Sequence, residues 1–210
     1  MSAMIAGTAG YQDESEALAQ RFESVAFEAV HREVLPLFPD RPCRVLDIGA
    51  GSGRDAAALA GRGHRVVAVE PTAGLREEGR RRHGAQPIEW VDDHLPALAQ
   101  VRAGGTRFDL ILCIAVWMHL DGAERPQAMA AVSALLAPGG LLVLTLRHGP
   151  VPAGRRMFQV DADETVALAA ANGLALRHRG ARASLFHDSV RWSVLAFSRS
   201  LPAPSSPARG

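Results

Sequence analysis

The stretch Arg44-Val-Leu-Asp-Ile-Gly-Ala-Gly-Ser-Gly-Arg-Asp55, followed by Arg65-Val-Val-Ala-Val-Glu70, constrains the fold more than any other part of the chain. An apolar strand runs into an acid and a glycine-rich turn, a short helix follows, and a second apolar strand ends in Glu70. Glycines let the backbone of such a turn approach a ligand closely. A carboxylate after the second strand can accept from both hydroxyls of a ribose. The pattern implies a β-loop-α-β unit that holds a nucleoside-bearing cofactor.

The rest of the chain extends that unit. Apolar strands are expected at 44–48, 65–69, 87–91, 108–116 and 141–146, with helices at 55–60, 73–82, 95–102 and 122–136 between them. Asp121 and Glu124 have the spacing of a helix start, and Pro138-Gly139-Gly140 stops that helix. Apolar strands alternating with helices imply an α/β fold, a mostly parallel sheet with helices on both faces. A further helix is expected at 162–171, capped by Asp161 and ended by Asn172-Gly173. The runs 174–179 and 190–198 follow with no helix between them, so they should pair antiparallel. Ahead of the first strand, 13–35 reads as one amphipathic helix through Leu18, Phe22, Val25, Ala26 and Ala29, with Asp13 and Glu16 as a capping box. The organisation expected is an N-terminal helical cap at 1–42, an α/β domain at 43–200 and a disordered Pro/Ser/Ala-rich tail at 201–210.

Composition removes several chemistries. All 23 Lys and Arg residues are Arg, so Schiff-base lysines and the lysine of a phosphate-binding P-loop are excluded. The net charge of +1 gives no reason to expect nucleic acid or a membrane as partner. The two cysteines, Cys43 and Cys113, form no C-x-x-C pair and read as reduced thiols. No metal site is expected. The first ten residues lack a secretory pattern and the longest apolar run, 110–118, is too short to span a bilayer, so the protein is expected to be cytoplasmic.

Gly51-Ser-Gly53-Arg-Asp-Ala56 satisfies the G-x-G-x-x-A form of a dinucleotide fingerprint, but Asp47 and Asp55 flank the loop. Carboxylates there oppose a pyrophosphate and suit an ammonium. Val45-Leu-Asp47-Ile-Gly49-Ala-Gly51-Ser-Gly53 resembles motif I of class I S-adenosylmethionine (SAM)-dependent methyltransferases. Glu70 matches that family's ribose-binding acid, and Pro71-Thr72 its residues against the adenine edge. Asp92-Asp93-His94-Leu95-Pro96, Phe108-Asp-Leu-Ile111 and Leu136-Ala-Pro138-Gly139-Gly140 resemble its later motifs, in the family's order. The resemblance implies a bacterial enzyme with a Rossmann-like, seven-stranded sheet whose final hairpin is antiparallel. It also implies S-adenosyl-L-methionine as cofactor and S-adenosyl-L-homocysteine as product. Carried over residue by residue, the cofactor-binding set is Asp47, Gly49, Ala50, Gly51, Gly53, Glu70, Pro71, Asp92, Asp93 and Cys113, with Asp92 favoured for the adenine contact and Asp93 as a helix cap.

The acceptor site should lie beyond the carboxyl ends of the strands. His119 matches a histidine of small-molecule members of the family, and His148 is a candidate general base. Arg147 is placed to orient an acidic substrate. Tyr11, Trp117 and Arg156 complete the expected substrate contacts. Cys113-Ile-Ala-Val116 is not the Asn/Asp-Pro-Pro-aromatic tetrad of amino-group enzymes, no Pro-Cys pair marks a cytosine C5 nucleophile, and no acidic cluster suggests a divalent metal. The expected acceptor is a small molecule methylated at oxygen or nitrogen. A methyltransferase of RNA or protein and a non-catalytic SAM sensor remain alternatives. An NAD-dependent oxidoreductase is disfavoured by a single Tyr and no Lys. The oligomeric state is left open.

Overall fold

The computed structural model describes residues 5–201; the tail at 202–210 lies outside the described residues. Seven strands form one sheet: β1 Arg44–Ile48, β2 Arg65–Val69, β3 Ile88–Val91, β4 Phe108–Cys113, β5 Leu136–His148, β6 Leu174–Ala183 and β7 Arg191–Arg199. Their spatial order is β3-β2-β1-β4-β5-β7-β6. The pairs from β3 to β5 are parallel, while β7 runs antiparallel to both β5 and β6. This is the α/β, Rossmann-like architecture expected, with its antiparallel end.

The helices are α1 Ser15–Glu23, α2 Phe27–His31, α3 Arg54–Gly61, α4 Ala73–His83, α5 Ala99–Ala103, α6 Glu124–Leu135 and α7 Ala162–Ala171. They cover both faces of the sheet. On one side Phe27 of α2 and Ala56, Leu59 and Ala60 of α3 pack on Val45, Val66, Leu110 and Val143. On the other, α5, α6 and α7 contribute Val101, Met129, Val132 and Ala169 to a cluster with Leu46, Ile111, Leu142 and Leu195. Central strands buried on both faces need continuous apolar runs, which β1 and β4 supply.

Several boundaries depart from the sequence reading. β4 ends at Cys113, short of 116, and β5 begins at Leu136 directly after α6, so Pro138-Gly139-Gly140 lies within the strand and does not stop the helix. The helix expected at 13–35 is broken: Ser24 Oγ donates to Arg21 O, and Ala26 is extended, so α1 and α2 are separate. The break lets α1 lie against α4 while α2 lies against α3. Asp13 and Glu16 form no capping box, because Glu14 sits at the N-cap without a side-chain bond. The helix expected from 95 begins at Ala99, because Leu98 adopts a left-handed φ of +47° and the Asp93 carboxylate accepts from Gln100 and Val101 N–H at the new start. The expected starts of α6 and α7 are present. Glu124 N–H donates to Asp121 Oδ1 at 2.9 Å while Asp121 N–H donates to Glu124 Oε2 at 2.8 Å. Asp161 accepts from Glu164 N–H at 2.9 Å.

The chain leaves β1 toward β2 on one side, and β4 leads to β5 on the other. Neighbouring β1 and β4 therefore mark the point where the strand order reverses. Open α/β sheets form their ligand crevice beyond the carboxyl ends of the strands at such a point. No helix among the described residues is long and apolar enough to cross a membrane.

Candidate active site

A cavity of about 670 Å³ opens at that crevice, a size suited to a ligand of cofactor class. Its floor is the β1–α3 loop. Gly49, Gly51 and Gly53 take φ of +68°, +57° and +87°, a region that other L-residues rarely occupy. Space is tight as well. A side chain at Gly49 would enter Val116, and one at Gly53 would place its Cβ 2.8 Å from the indole of Trp90. Gly49 and Ala50 N–H donate to Val69 O at 2.8 and 2.9 Å, which ties the loop to the end of β2.

Glu70 follows β2 directly and is buried. Its Oε2 accepts from Gly51 N–H at 2.9 Å and its Oε1 from Thr72 N–H at 2.8 Å. Both oxygens are thus fixed from behind, and the carboxylate lines the cavity with lone pairs to spare for a diol. Burial raises its pKa, and the two backbone donors only partly offset that. Asp47, at the end of β1, is buried with Oδ2 lacking any partner. Burial and then the neighbouring Asp55 push its carboxyl well above the usual range. Asp55 differs because His31 Nε2 lies 2.9 Å and Arg54 Nε 2.7 Å from it. Burial would raise Asp55 too, but these two partners outweigh it and hold it low. An unpartnered buried carboxylate oxygen on the cavity wall fits a ligand ammonium, and it would oppose a phosphate.

Asp92 and Asp93 separate cleanly. Asp93 is buried, lines the cavity and accepts from Gln100 and Val101 N–H at 2.8 and 3.0 Å, capping α5 from upstream. Asp92, favoured in the sequence for the adenine contact, points away: its side chain is 57% exposed and pairs with Arg76 at 2.7 Å, outside the cavity. Arg76 also donates to Glu70 O.

The N-terminal segment roofs the cavity. Tyr11 OH lies 3.1 Å from His119 Nε2, and His119 Nδ1 lies 2.8 Å from Arg156 O. A carbonyl can only accept, so Nδ1 carries the proton and Nε2 accepts from the tyrosine. Burial, aided by Arg155, Arg156 and Arg147, lowers the His119 pKa and keeps the ring neutral. Arg155 stacks 4.4 Å from the Tyr11 ring centroid and pairs with Glu14 at 2.7 Å. Leu18 and Phe22 of α1 continue the roof.

Of the expected residues, the structure gathers Tyr11, Asp47, Gly49, Ala50, Gly51, Glu70, Pro71, Asp93, His119, Arg147 and Arg156 around one cavity. Gly53, Asp92, Cys113, Trp117 and His148 do not line it. Gly53 makes room for Trp90. Cys113 is buried in the sheet, its thiol pushed up to about 12 by burial and by Asp47. Trp117 is fully buried in the core beneath the rim. His148 bonds Ser193 Oγ at 2.8 Å, across the β5–β7 pair, and so faces away from the chemistry expected of it in the cavity. Arg156 lines the cavity but spends its guanidinium on Asp121, Glu124 and His119 O. Arg155, Arg182 and Trp192 also line the cavity. Arg182 and Trp192 lie on antiparallel strands whose register no local pattern reveals, and Arg155 is the neighbour of the expected Arg156.

Fold and site together define a Rossmann-like protein that binds a nucleoside cofactor bearing a cation. The sequence profile described as Methyltransferase domain matches residues 18–188. The chain belongs to this family, the class I SAM-dependent methyltransferases, and the carboxylates of Asp47 and Glu70 fit the ammonium and ribose of the family's cofactor. Among relatives, an uncharacterized methyltransferase of Geobacillus kaustophilus is 31% identical over 99 residues, 47% of this chain and 44% of that protein. Glycine N-methyltransferase of Oryctolagus cuniculus is 29% identical over 153 residues, 60% of this chain and 50% of the enzyme. The chain spans about half the length of these curated relatives. Among solved structures, a TehB-like SAM-dependent methyltransferase from Corynebacterium glutamicum superposes with a TM-score of 0.67 at 24% identity, covering 90% of this chain and 99% of that one. The 1,6-didemethyltoxoflavin-N1-methyltransferase of Burkholderia thailandensis, crystallised with 1,6-didemethyltoxoflavin and S-adenosylhomocysteine, gives 0.64 at 21% identity, covering 90% and 84%.

Proposed function

We propose that this protein transfers a methyl group from SAM to an oxygen or nitrogen of a small molecule, in the bacterial cytoplasm. The observation that carries the reading is the shape of the cavity: Tyr11, Arg155 and Phe22 line it from the N-terminal side, so the crevice is a concave, partly covered pocket and not a flat surface. A nucleic acid or a folded protein needs a surface to lie on, whereas a small acceptor needs a pocket. The small-molecule ligand in the Burkholderia enzyme is consistent with this.

When bound, SAM supplies a methyl carbon made electrophilic by its sulfonium. The chain's own residues hold, orient and shield. Glu70 accepts from the ribose hydroxyls, and Asp47 Oδ2 receives the ammonium. Asp93 and Pro71 border the adenine side. The roof excludes water, and confinement of two reactants contributes on the order of 7 kcal/mol or more in favourable cases. His119 is a positioning residue: its Nε2 is occupied by Tyr11, and three arginines oppose its protonation. The acceptor atom therefore needs a free lone pair on arrival, as in an amine or an ionised oxygen.

The protein is incubated with methyl-labelled SAM and bacterial extract divided into a small-molecule filtrate and a macromolecular retentate. Label should enter the filtrate. Label confined to RNA or protein in the retentate overturns the assignment.

A further inference from the structure

Six arginines line the cavity: Arg21, Arg54, Arg147, Arg155, Arg156 and Arg182. Four have partners. Arg21 meets His187 and stacks on Phe186, Arg54 pairs with Asp55, Arg155 with Glu14, and Arg156 with Asp121 and Glu124. Among the described residues, Arg147 and Arg182 take part in no ion pair. Arg147 reaches only Gly149 O, at 3.4 Å, and the buried Nε of Arg182 has no partner.

Register brings these two together. Arg147 on β5 stands opposite Trp192 on β7, and Trp192 stands opposite Arg182 on β6. Directly opposed residues present their side chains to the same face of a sheet, so the three form one row, cation, indole, cation, at the edge of the cavity. The Arg182 guanidinium lies 5.7 Å from the Trp192 ring centroid. Thr145, two residues before Arg147 on the same face, lines the cavity below the row.

Half-buried guanidinium groups without a direct ion-pair partner are costly to maintain. Burial lowers the pKa of both, and only Tyr11 opposes this at Arg147, while Glu33 and Asp55 oppose it and Arg54 adds to it at Arg182. Arg54 shows the contrast, because Asp55 overcomes its burial and raises it.

We propose that Arg147, Trp192 and Arg182 form the acceptor-recognition wall of this cavity, and that the acceptor carries a carboxylate on a flat or apolar body. The proposal rests on the reading that a small molecule enters here. A guanidinium fork matches a planar carboxylate in two parallel hydrogen bonds, and an indole between two such forks offers a face for the attached body. The carboxylate serves as the anchor, and methyl transfer falls on another atom of the molecule.

The test measures binding to protein preloaded with S-adenosylhomocysteine, so turnover is not required. The probes are benzoate, indole-3-acetate and octanoate, each against its own carboxamide, with inorganic phosphate as a further probe. At least one carboxylate should bind about tenfold or more tighter than its amide, and Arg147→Gln and Arg182→Gln should each abolish that preference. Absence of carboxylate binding, equal affinity for acid and amide, or a preference confined to phosphate overturns the wall. A weaker hold on S-adenosylhomocysteine in these variants, with the carboxylate preference intact, would assign the arginines to the cofactor's own carboxylate and overturns it too. Label transfer to neutral small molecules alone would sink the wall and leave the proposed function standing. A carboxylate preference without any transfer would do the reverse.

Discussion

Asp47 shows how a single side chain trades stability for affinity. Its Oδ2 is buried without a partner and faces the negative field of Asp55. A carboxyl raised by folding is favoured in its protonated form, so the ionised form costs stability, and that cost grows as pH rises from the usual aspartate value through the raised one. Asp47→Asn removes the charge and keeps the shape. The cofactor-free variant should be more stable at neutral pH by about 1–2 kcal/mol, seen as a higher denaturant midpoint. Its affinity for S-adenosylhomocysteine should fall about tenfold or more by calorimetry, because a charge-assisted contact to the ammonium is lost. A variant both less stable and equally tight would refute the ammonium role. Glu70 and Asp47 were legible as acids at strand ends. The choice between Asp92 and Asp93 was not: neighbours on an extended segment face opposite sides, and which side meets the cavity depends on how the chain turns into α5.

At the scale of elements, the roof is held by contacts that pH can test. Tyr11 donates to a neutral His119, whose pKa folding depresses, chiefly through burial. The sign follows. Closure is fully supported above the ordinary histidine pKa of about 6.5 and weakens as pH falls from there through the depressed value, since an Nε2 that takes up a proton can no longer accept. Hydrogen exchange at residues 5–14, corrected for intrinsic rate, should therefore accelerate between about pH 7 and pH 5. Tyr11→Phe, which keeps the ring under Arg155, should show fast exchange at both ends and little dependence on pH. An unchanged profile in that variant would separate the roof from the histidine. Periodicity located α1 and α2 but ran through the break between them. The apolar spacing continues across Ser24 and Ala26, and only the docking of α2 on α3, through His31 and Asp55, requires the turn. Where the signal was local chemistry, as at Asp121, Glu124 and Asp161, the starts of α6 and α7 fell where expected.

For the whole molecule, the crevice joins the carboxyl ends of the sheet to an N-terminal segment far away in sequence. A ligand that touches Asp47, Glu70 and the roof together should stabilise the folded chain globally. S-adenosylhomocysteine at one hundred times its Kd adds about 2.7 kcal/mol, which for a chain of this size raises Tm by roughly 5–10 °C. NADH should add nothing, because its diphosphate meets Asp47 and Asp55. A thermal shift with NADH and none with S-adenosylhomocysteine would overturn the cofactor assignment. The strand order and its antiparallel end were readable because apolar runs and connection lengths encode them. The pairing of Arg147, Trp192 and Arg182 was not, since it arises from register between strands distant in the chain.

The indole of Trp90, on β3, fills the space beside Gly53 in the cofactor loop, and a side chain at Gly79 on α4 would run into the same ring. The third glycine of the loop thus answers to a tryptophan on the sheet's outer margin more than to anything bound in the chamber. These three positions form a lock that opens only when all its parts change. Enlarging either glycine alone evicts the ring, whereas a smaller residue at 90 leaves a hollow under the loop. Natural drift at this corner should proceed in concert, and engineers wishing to reshape the loop would begin from the far side of β2.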